Sequence, residues 1–455
     1  MSVAKDRWVD ARRWAGDVAS SSSSKPKRWA GVEGGGTTWV VAIAEGEPDR
    51  IVKRADFPTT TPEETLPQIR NWLAAEWKEG RFDSLGVATF GPVDLDRHSP
   101  TYGHITHSPK PGWEAVDVLG ILKKGWCPQS LPTGFDTDVN APAVAEYAAV
   151  QREFVQIDLE SKKQKAPKSP AGKFVRALFT DGDDDDDVLE QEVSTSTSGD
   201  EETDDSSKQK PKQDTYTNHN DTLRFQNLAY VTVGTGVGVG VVCGGEPVHG
   251  LSHPEAGHIR VARLASDGLP NEPGSFQGTC VFHGDCIEGM AGAAAIAKRC
   301  GCDMSQLAQI PDDHHAWDAA AHYIAGMCCS LVMVASPQRI VLGGGVLQRK
   351  TLVTKIRNSL RTQLGGYVKH DFVERNDGLN QFLVASRHGN EAGIIGALAL
   401  ADRALELSLK PFSSSRKKKS VAKRLAHYFA YGVSCALVTL KIVNEEVRLR
   451  GKKAL

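Results

Sequence analysis

The sequence has little net charge, and the uncharged stretch near its end is short for a membrane span. Its 54 basic and 56 acidic residues leave a formal net charge of -2, which gives no argument for a nucleic-acid or membrane partner. The uncharged stretch "LAHYFAYGVSCALVTL" has 16 residues, fewer than the ~20 expected of a membrane span. Residues 1–28 lack the apolar core of a secretory signal, and their aspartates fit poorly with a transit peptide.

The cysteines also lack the pattern of a secreted disulfide scaffold. There are nine, an odd number scattered over 455 residues, which favours a reducing compartment. We therefore expect a cytoplasmic protein. The hydrophobic and charged fractions, 40% and 24%, are ordinary for a globular protein, and the length allows two or three domains.

Strand and helix signals alternate along most of the chain. A strand–turn–strand pattern begins near residue 28, and "SLGVATFGPVD" is a buried strand. Between them we expect a helix that Thr61 can cap and that has Pro62 in its first turn. The alternation returns after residue 227, with a strand at "RIVLGGG" and helices over about 314–335 and 391–408. This order predicts an α/β fold.

Three segments do not fit the pattern. Residues 1–28 read as a disordered leader. Residues 153–226 read as a disordered insertion, because Asp181–Asp205 contains 13 acidic residues and no basic one; the alternative is a regulatory loop phosphorylated at Thr197 or Ser198. The tail, 409–455, has seven basic residues in "KPFSSSRKKKSVAKR" before its uncharged stretch. A helix packed on the domain is the favoured interpretation of that stretch, with a membrane-surface contact or a nuclear signal as alternatives.

The remaining chain predicts an N-terminal α/β domain over residues 29–152, joined by helix 391–408, and a C-terminal α/β domain over 227–390.

The stretch "LAYVTVGTGVGVGVVCGG", residues 228–245, is a strand that breaks into a glycine-dense turn and resumes. Repeated glycine at one point indicates a sharp turn or a close approach of the backbone to something else. A bound phosphate would explain it, and so would an ordinary hairpin.

A compact set of metal-ligand residues follows in "GTCVFHGDCIEG". Cys280, His283 and Cys286 lie within seven residues, close enough to begin a structural zinc site. The fourth ligand is open among His249, His253 and His258 on spacing alone. Two buried thiols beside a chance histidine are the alternative.

The segment "GFDTDVNAPAVAEY" ends a strand and begins a helix. Asp136 or Asp138 could cap that helix. An aspartate in such a loop could also accept the proton of a substrate hydroxyl, as phosphoryl transfer requires.

Taken together, these motifs resemble the ROK family of sugar kinases, and within it the bacterial-type fructokinases and mannofructokinases. The resemblance rests on "GVEGGGTTWVVAIAEG", "SPKPGW", "TDVNAPAVAEY", "YVTVGTGVGVGVV", "HPEAGH", "CVFHGDC" and "IVLGGGV". It covers about residues 29–152 and 227–408. It implies an actin-like (ribonuclease H-like) fold in which two α/β domains flank an interdomain cleft.

The resemblance assigns the two glycine turns to the phosphates of ATP, with a third glycine loop beside the adenosine. Backbone N–H groups would reach the phosphate oxygens where side chains are missing. The residues implied are Gly34, Gly35, Gly36, Thr37, Gly234, Thr235, Gly236, Gly343, Gly344 and Gly345.

The resemblance also gives roles to individual side chains. Asp138 would be the general base for the 6-hydroxyl of the sugar, and Glu33 would reach Mg²⁺ through water. Glu255 and His258 would hold sugar hydroxyls. His258 would also complete a structural Zn²⁺ site with Cys280, His283 and Cys286, so that zinc fixes one imidazole nitrogen and leaves the other for a hydroxyl.

Two positions depart from the family pattern. The family usually has lysine where this chain has Thr38, so any charge contact made there is absent. Pro142 stands where the family favours a small helix former, and proline is tolerated near a helix start.

The expected partners are ATP and a hexose, without nucleic acid or membrane, and a homodimer is left open. Fructose is the favoured acceptor, with mannose as a second. The alternatives are a glucokinase or an N-acetylmannosamine kinase of the same family, or a sugar-binding regulator without turnover. Such regulators carry a DNA-binding helix-turn-helix in front, for which the short leader offers no room.

Overall fold

The computed structural model describes residues 25–108, 110–165 and 225–409. Of these, the residues up to Asp402 belong to one compact unit. A second unit begins at Arg403, and of it only Arg403–Leu409, the end of the last helix, is described. Most of the predicted leader, residues 166–224 of the predicted insertion and residues 410–455 of the tail lie outside the described residues.

The first sheet has five strands in the order β3-β2-β1-β4-β5. An antiparallel meander is followed by two strands that run parallel to β1. β4 is buried at every position and β1 at five of its seven positions, which is expected of strands covered on both faces. The bounds are β1 (Arg28–Gly34), β2 (Thr38–Glu45), β3 (Ile51–Pro58), β4 (Ser84–Thr89) and β5 (Thr133–Thr137).

The second sheet repeats this path. Its order is β10-β9-β6-β7-β8, with β6, β7 and β8 antiparallel and with β9 and β10 parallel to β6. Each sheet is therefore a three-strand meander extended by two parallel strands. The bounds are β6 (Leu228–Val233), β7 (Val237–Cys243), β8 (Glu246–Pro247), β9 (Arg339–Gly343) and β10 (Leu383–Ala385).

Two helices, α3 (Asn140–Lys165) and α10 (Ala392–Leu409), lie between the sheets. The α3 side chains of Ala143 and Tyr147 pack against the second sheet. α10 lies so close to the first sheet that a Cβ on Gly86 would be 1.9 Å from the Ala397 carbonyl oxygen. Glycine in β4 is what allows this helix to approach the sheet.

The other helices cover the outer faces of the sheets. α1 and α2 pack on the first sheet around a core that includes Trp39 and Trp113, and α4–α7 pack on the second. The bounds are α1 (Pro62–Glu79), α2 (Val118–Lys123), α4 (Ile287–Ala291), α5 (Ala293–Cys300), α6 (His315–Ala335), α7 (Lys350–Leu364), α8 (Asp371–Glu374) and α9 (Asn376–Phe382).

α6 is, within the described part of the chain, the one helix whose length and apolar composition would suit a membrane span. Its buried residues include Trp317, Tyr323, Ile324 and Met327, which belong to the core on the second sheet. The packing therefore accounts for its apolar composition as a core helix.

Three local expectations can be compared with the structure. The helices expected over 314–335 and 391–408 are present within a residue at each end. Thr61 precedes α1, but its side chain makes no capping hydrogen bond. α3 continues to Lys165, past residue 153, where we expected the disordered insertion to begin.

Candidate active site and metal centre

The first glycine turn follows β1 at the carboxyl ends of the parallel strands, where ligands of open α/β sheets bind. The Gly35 N–H donates to the Thr38 carbonyl across the turn at 3.0 Å. A Cβ on Gly34 would lie 2.6 Å from the Trp39 ring, whereas one on Gly36 would meet no atom within 4 Å. The turn is thus packed at its base and open at its tip, and the predicted Thr37 is exposed beside it.

The second glycine turn follows β6 and closes through the Gly234 N–H, which donates to the Gly236 carbonyl at 2.9 Å. The Gly234 carbonyl accepts the Ala293 N–H at the start of α5, also at 2.9 Å. Gly344 joins this turn from β9: its φ is +87°, and a Cβ there would lie 2.5 Å from the Val233 carbonyl oxygen. The predicted Gly343–Gly345 loop and the turn that carries the exposed Thr235 therefore meet at the carboxyl ends of the parallel strands β6 and β9.

Asp138 lies at the end of β5, where its N–H donates to the Thr89 carbonyl of the neighbouring strand at 2.9 Å. The hydroxyl that accepts the Asn140 N–H at the start of α3 belongs to Thr137, at 3.0 Å. Capping by Asp136 or Asp138, the alternative considered from the sequence, is therefore wrong. Burial raises the pKa of Asp138 to about 6, which brings this carboxyl group close to the pH range where a general base operates.

The charge of Asp138 affects the pKa values of two more carboxyl groups. Burial, and then the charge of Asp138, raise the pKa of Glu33 to about 7. Burial, again followed by the charge of Asp138, raises the pKa of Glu255 to about 7. Glu33 is the penultimate residue of β1 in the first sheet, whereas Glu255 lies in the loop after β8 of the second. The structure therefore brings together three predicted site residues from separate segments, and perturbed carboxyl groups of this kind mark candidate active sites.

The three histidines that spacing left open have different surroundings. His249 Nε2 lies 2.8 Å from Asp136 Oδ2. His253 is buried, accepts the Val93 N–H on Nε2 at 3.3 Å and has Nδ1 3.2 Å from Glu255 Oε1. His258 alone turns its Nδ1 toward the cysteines.

The predicted metal ligands form one cluster. The ligand atoms of His258, Cys280, His283 and Cys286 all lie within 4.8 Å of one another. His258 Nδ1 is 3.6 Å from each of the two sulfurs and 3.2 Å from His283 Nδ1. A tetrahedral zinc site with ordinary bond lengths has edges of about 3.6 Å between N and S and about 3.3 Å between two nitrogens, so the donor set fits such an ion.

The chemistry of the thiols supports the same fit. Burial raises the pKa of the Cys286 thiol to about 12, and the neighbouring Cys280 adds to the effect. Two adjacent buried thiolates are unfavourable unless a cation compensates their charge.

Two arginines hold the loop that carries these ligands. Arg260 Nε donates to Asp285 Oδ1 at 2.6 Å, and Arg263 Nη1 donates to Asp285 Oδ2 at 3.2 Å. Arg260 also donates to the His283 carbonyl oxygen at 2.9 Å. The ligands are therefore positioned by bonds to the carboxylate and the backbone between them.

Sequence reasoning missed Glu288 and Lys110 and considered Asp136, His249 and His253 only for other roles. Glu288 accepts the Val237 N–H at 3.2 Å and so touches the second glycine turn. Asp136, His249 and His253 tie the two sheets together, and Lys110 donates to the Gly36 carbonyl. Glu288 could have been found from the sequence, because it stands two residues after a predicted metal ligand. The other contacts join distant segments, which sequence spacing does not reveal.

The comparison with protein families decides the relationship. The model of the ROK family matches residues 29–157 and 215–404. The chain belongs to the ROK family. A fructokinase from Zymomonas mobilis is 31% identical over 372 residues, which cover 81% of this chain and 95% of that protein. A fructokinase from Pediococcus pentosaceus is 30% identical over 375 residues, covering 82% and 98%.

Among solved structures, the fold is similar to that of the ROK hexokinase from Thermus thermophilus. The TM-score is 0.53 at 21% identity, over 83% of this chain and 99% of that one. The predicted actin-like fold of the ROK kinases is therefore confirmed, and it explains why each of the two sheets repeats the same path.

Proposed function

We propose that this ROK protein is an ATP-dependent hexose kinase that transfers the terminal phosphoryl group of ATP to the 6-hydroxyl of D-fructose. The similarity to two fructokinases over four fifths of the chain supports fructose as the acceptor. Mannose is a second acceptor. Glucose or N-acetylmannosamine is the alternative within the family, and a sugar-binding regulator without turnover is the alternative of another class.

The observation that carries the proposal is the position of Asp138. Asp138 directly follows β5, and its charge raises the pKa of Glu33, beside the first glycine turn, and of Glu255, in the loop after β8. With a pKa of about 6, it is ionised at neutral pH and still basic enough to take a hydroxyl proton as the phosphoryl group arrives.

The other residues bind and orient the reactants. Glu255 and His258 hold hydroxyls of the hexose, and the backbone N–H groups of the two glycine turns hold the phosphates. Gly343–Gly345 flanks the adenosine. These roles are positional, because phosphoryl transfer depends mainly on alignment and on neutralising the charge of the oxygens.

A magnesium ion fits the acidic side of this arrangement. Carboxylate and phosphate oxygens are the ligands that Mg²⁺ prefers, and Glu33 supplies a carboxylate close to Asp138. When bound with ATP, the ion neutralises phosphate charge. Glu33 would hold this ion through a water molecule.

The cluster of His258, Cys280, His283 and Cys286 holds a structural zinc ion. All four ligands come from the protein, which leaves no open position for chemistry. Because His258 serves as both metal ligand and hydroxyl ligand, the zinc site fixes the direction in which its imidazole meets the sugar.

The two sheets belong, in this proposal, to two domains that flank the substrate cleft: residues 29–152 with helix 391–408, and residues 227–390. The enzyme works in the cytoplasm without a nucleic-acid or membrane partner, and a homodimer is compatible with this function.

A coupled assay of ADP release tests the proposal. Purified protein is given ATP, Mg²⁺ and fructose, mannose, glucose or N-acetylmannosamine in turn, with Asp138→Asn as the inactive control. Fructose should give the highest kcat/KM. A different best sugar would correct the substrate, and sugar binding without turnover by the parent protein would favour the regulator.

A further inference from the structure

A lysine from another segment reaches the first glycine turn. Lys110 lies 74 residues after Gly36 in the sequence, and its Nζ donates to the Gly36 carbonyl oxygen at 2.5 Å. Gly36 is the open tip of the turn, with no atom within 4 Å of the place where its Cβ would be. The ammonium group therefore lies beside exposed backbone, at the place assigned to the phosphates.

The segment that carries Lys110 is anchored. Trp113 is fully buried, and its N–H donates to the Lys110 carbonyl at 3.2 Å, which closes a turn around the lysine. The Trp113 ring stacks on Trp39 with centroids 5.5 Å apart, and its Nε1 donates to the Thr60 carbonyl at 3.0 Å.

The same aromatic pair supports the glycine turn. Trp39 stands on β2 directly after the turn, and a Cβ on Gly34 would lie 2.6 Å from its ring. Trp39 thus contacts both the base of the turn and the anchor of the lysine segment. The position of Lys110 over Gly36 follows from buried packing and not from the flexible lysine side chain alone.

The negative charges near the turn give a cation at this position a function. Glu33 directly precedes the turn, and Asp138 lies within its electrostatic reach, so a polyphosphate placed here meets two carboxyl groups. Thr38, on the other arm of the turn, is exposed and neutral. A lysine ammonium has three donors, and among the described residues Gly36 takes one of them, which leaves two for an anion.

We propose that Lys110 binds the terminal phosphates of ATP and supplies, from a separate segment, the positive charge that Thr38 does not provide. This inference rests on the proposed function, because it places ATP on the Gly34–Gly36 turn. In this proposal Lys110 contacts only the phosphate oxygens, and the Gly343–Gly345 loop contacts the adenosine.

The test is a binding comparison of two nucleotides by calorimetry, with Mg²⁺ present. The non-hydrolysable analogue AMP-PNP carries the terminal phosphates, whereas AMP does not. Lys110→Met should weaken AMP-PNP binding by about 10- to 100-fold, the range for losing a hydrogen bond to a charged group, and should change AMP binding less than about twofold. Lys124→Met, at an exposed lysine of the same domain, is the matched control and should bind both nucleotides like the parent.

A second variant separates charge from loop support. Thr38→Lys added to Lys110→Met returns a cation to the same turn without the bond to Gly36, and it should recover most of the AMP-PNP affinity. No recovery, with a lower unfolding temperature, would mean that Lys110 only braces the loop and would overturn the inference. Equal AMP-PNP affinity of Lys110→Met and parent would overturn it as well. A parent that binds no AMP-PNP would overturn the proposed function together with it.

Discussion

His249 and Asp136 join the two sheets of the molecule. His249 Nε2, in the loop after β8, lies 2.8 Å from Asp136 Oδ2, at the penultimate position of β5. The other carboxylate oxygen of Asp136 accepts the side-chain N–H of Asn140 and the backbone N–H of Thr137, both at 2.8 Å. The buried carboxylate therefore holds the start of α3 and the histidine loop at once, two residues before Asp138.

This pair predicts a pH-dependent part of the stability. The hydrogen bond to Asp136 raises the pKa of His249, although burial and the charge of Arg97 oppose the shift. A histidine with a raised pKa in the folded state contributes stability fully below its unfolded pKa of about 6.5, and this contribution is lost as the pH rises through the folded pKa. His249→Ala should therefore destabilise the protein more at pH 6 than at pH 8.

Urea denaturation of parent and variant at the two pH values measures the effect. Glu33 and Glu255 also have raised pKa values, so their contributions fall with rising pH in both proteins and cancel in the difference. His98→Ala, at an exposed position, is the control. A loss of stability that is the same at both pH values would show that the His249 contact is not ionic.

The histidines show where prediction from the sequence stops. Spacing identified Cys280, His283 and Cys286, because ligands close in sequence are close in space. It could not choose among His249, His253 and His258, since the choice depends on which strand ends the two sheets bring together. The contact of Lys110 could not be predicted either, because its partner, Gly36, is 74 residues away in the sequence. The glycine turns could be predicted, because backbone geometry leaves a local signal in the sequence.

Asp138→Asn is expected to abolish most turnover while the fold is kept. Asparagine fills the same volume and cannot accept the hydroxyl proton, so kcat should fall by at least about a hundredfold. The start of α3 should stay intact because Thr137 provides the bond to the Asn140 N–H. Thermal unfolding and AMP-PNP binding are the controls for fold and nucleotide site. Near-parental kcat would remove Asp138 from the base role.

The pKa values of the carboxyl groups predict an acid limb in the pH profile of the parent enzyme. A base must be ionised to accept a proton, and the pKa of Asp138 is raised to about 6. kcat/KM should therefore be constant at alkaline pH and fall about tenfold per pH unit below about pH 6. The apparent pKa of this acid limb belongs to the three carboxyl groups together, because the charge of Asp138 raises the pKa values of Glu33 and Glu255. Full activity at pH 5 would contradict the assignment.

The ends of the inserted segment meet, which predicts that the segment can be removed. The side chains of Tyr147 and Gln151 on α3 both donate to the Phe225 carbonyl oxygen, so the chain returns close to the point from which it departed. We expect hexose kinase activity within a few-fold of the parent when residues 154–223 are replaced by a short Gly/Ser linker. Keeping Glu153 preserves its ion pair with Arg387. Loss of folding on deletion would show that the segment supports the core.

The last prediction concerns the metal centre. Cys286→Ala removes one of four converging ligands, so the purified variant should contain less than one zinc ion per chain and unfold at a lower temperature. In our proposal His258 binds both the metal and the sugar, so the KM for the sugar should rise. The KM for ATP should change less, because in the same proposal the phosphates contact the turns at Gly34–Gly36 and Gly234–Gly236. Cys243→Ala, at an exposed cysteine outside the cluster, should keep full zinc content and parental kinetics. Lowering the pH should release zinc from the parent as protons displace the ion from the thiolates. Active parent protein without zinc by elemental analysis would rule out the metal centre and would leave two buried thiols beside two histidines.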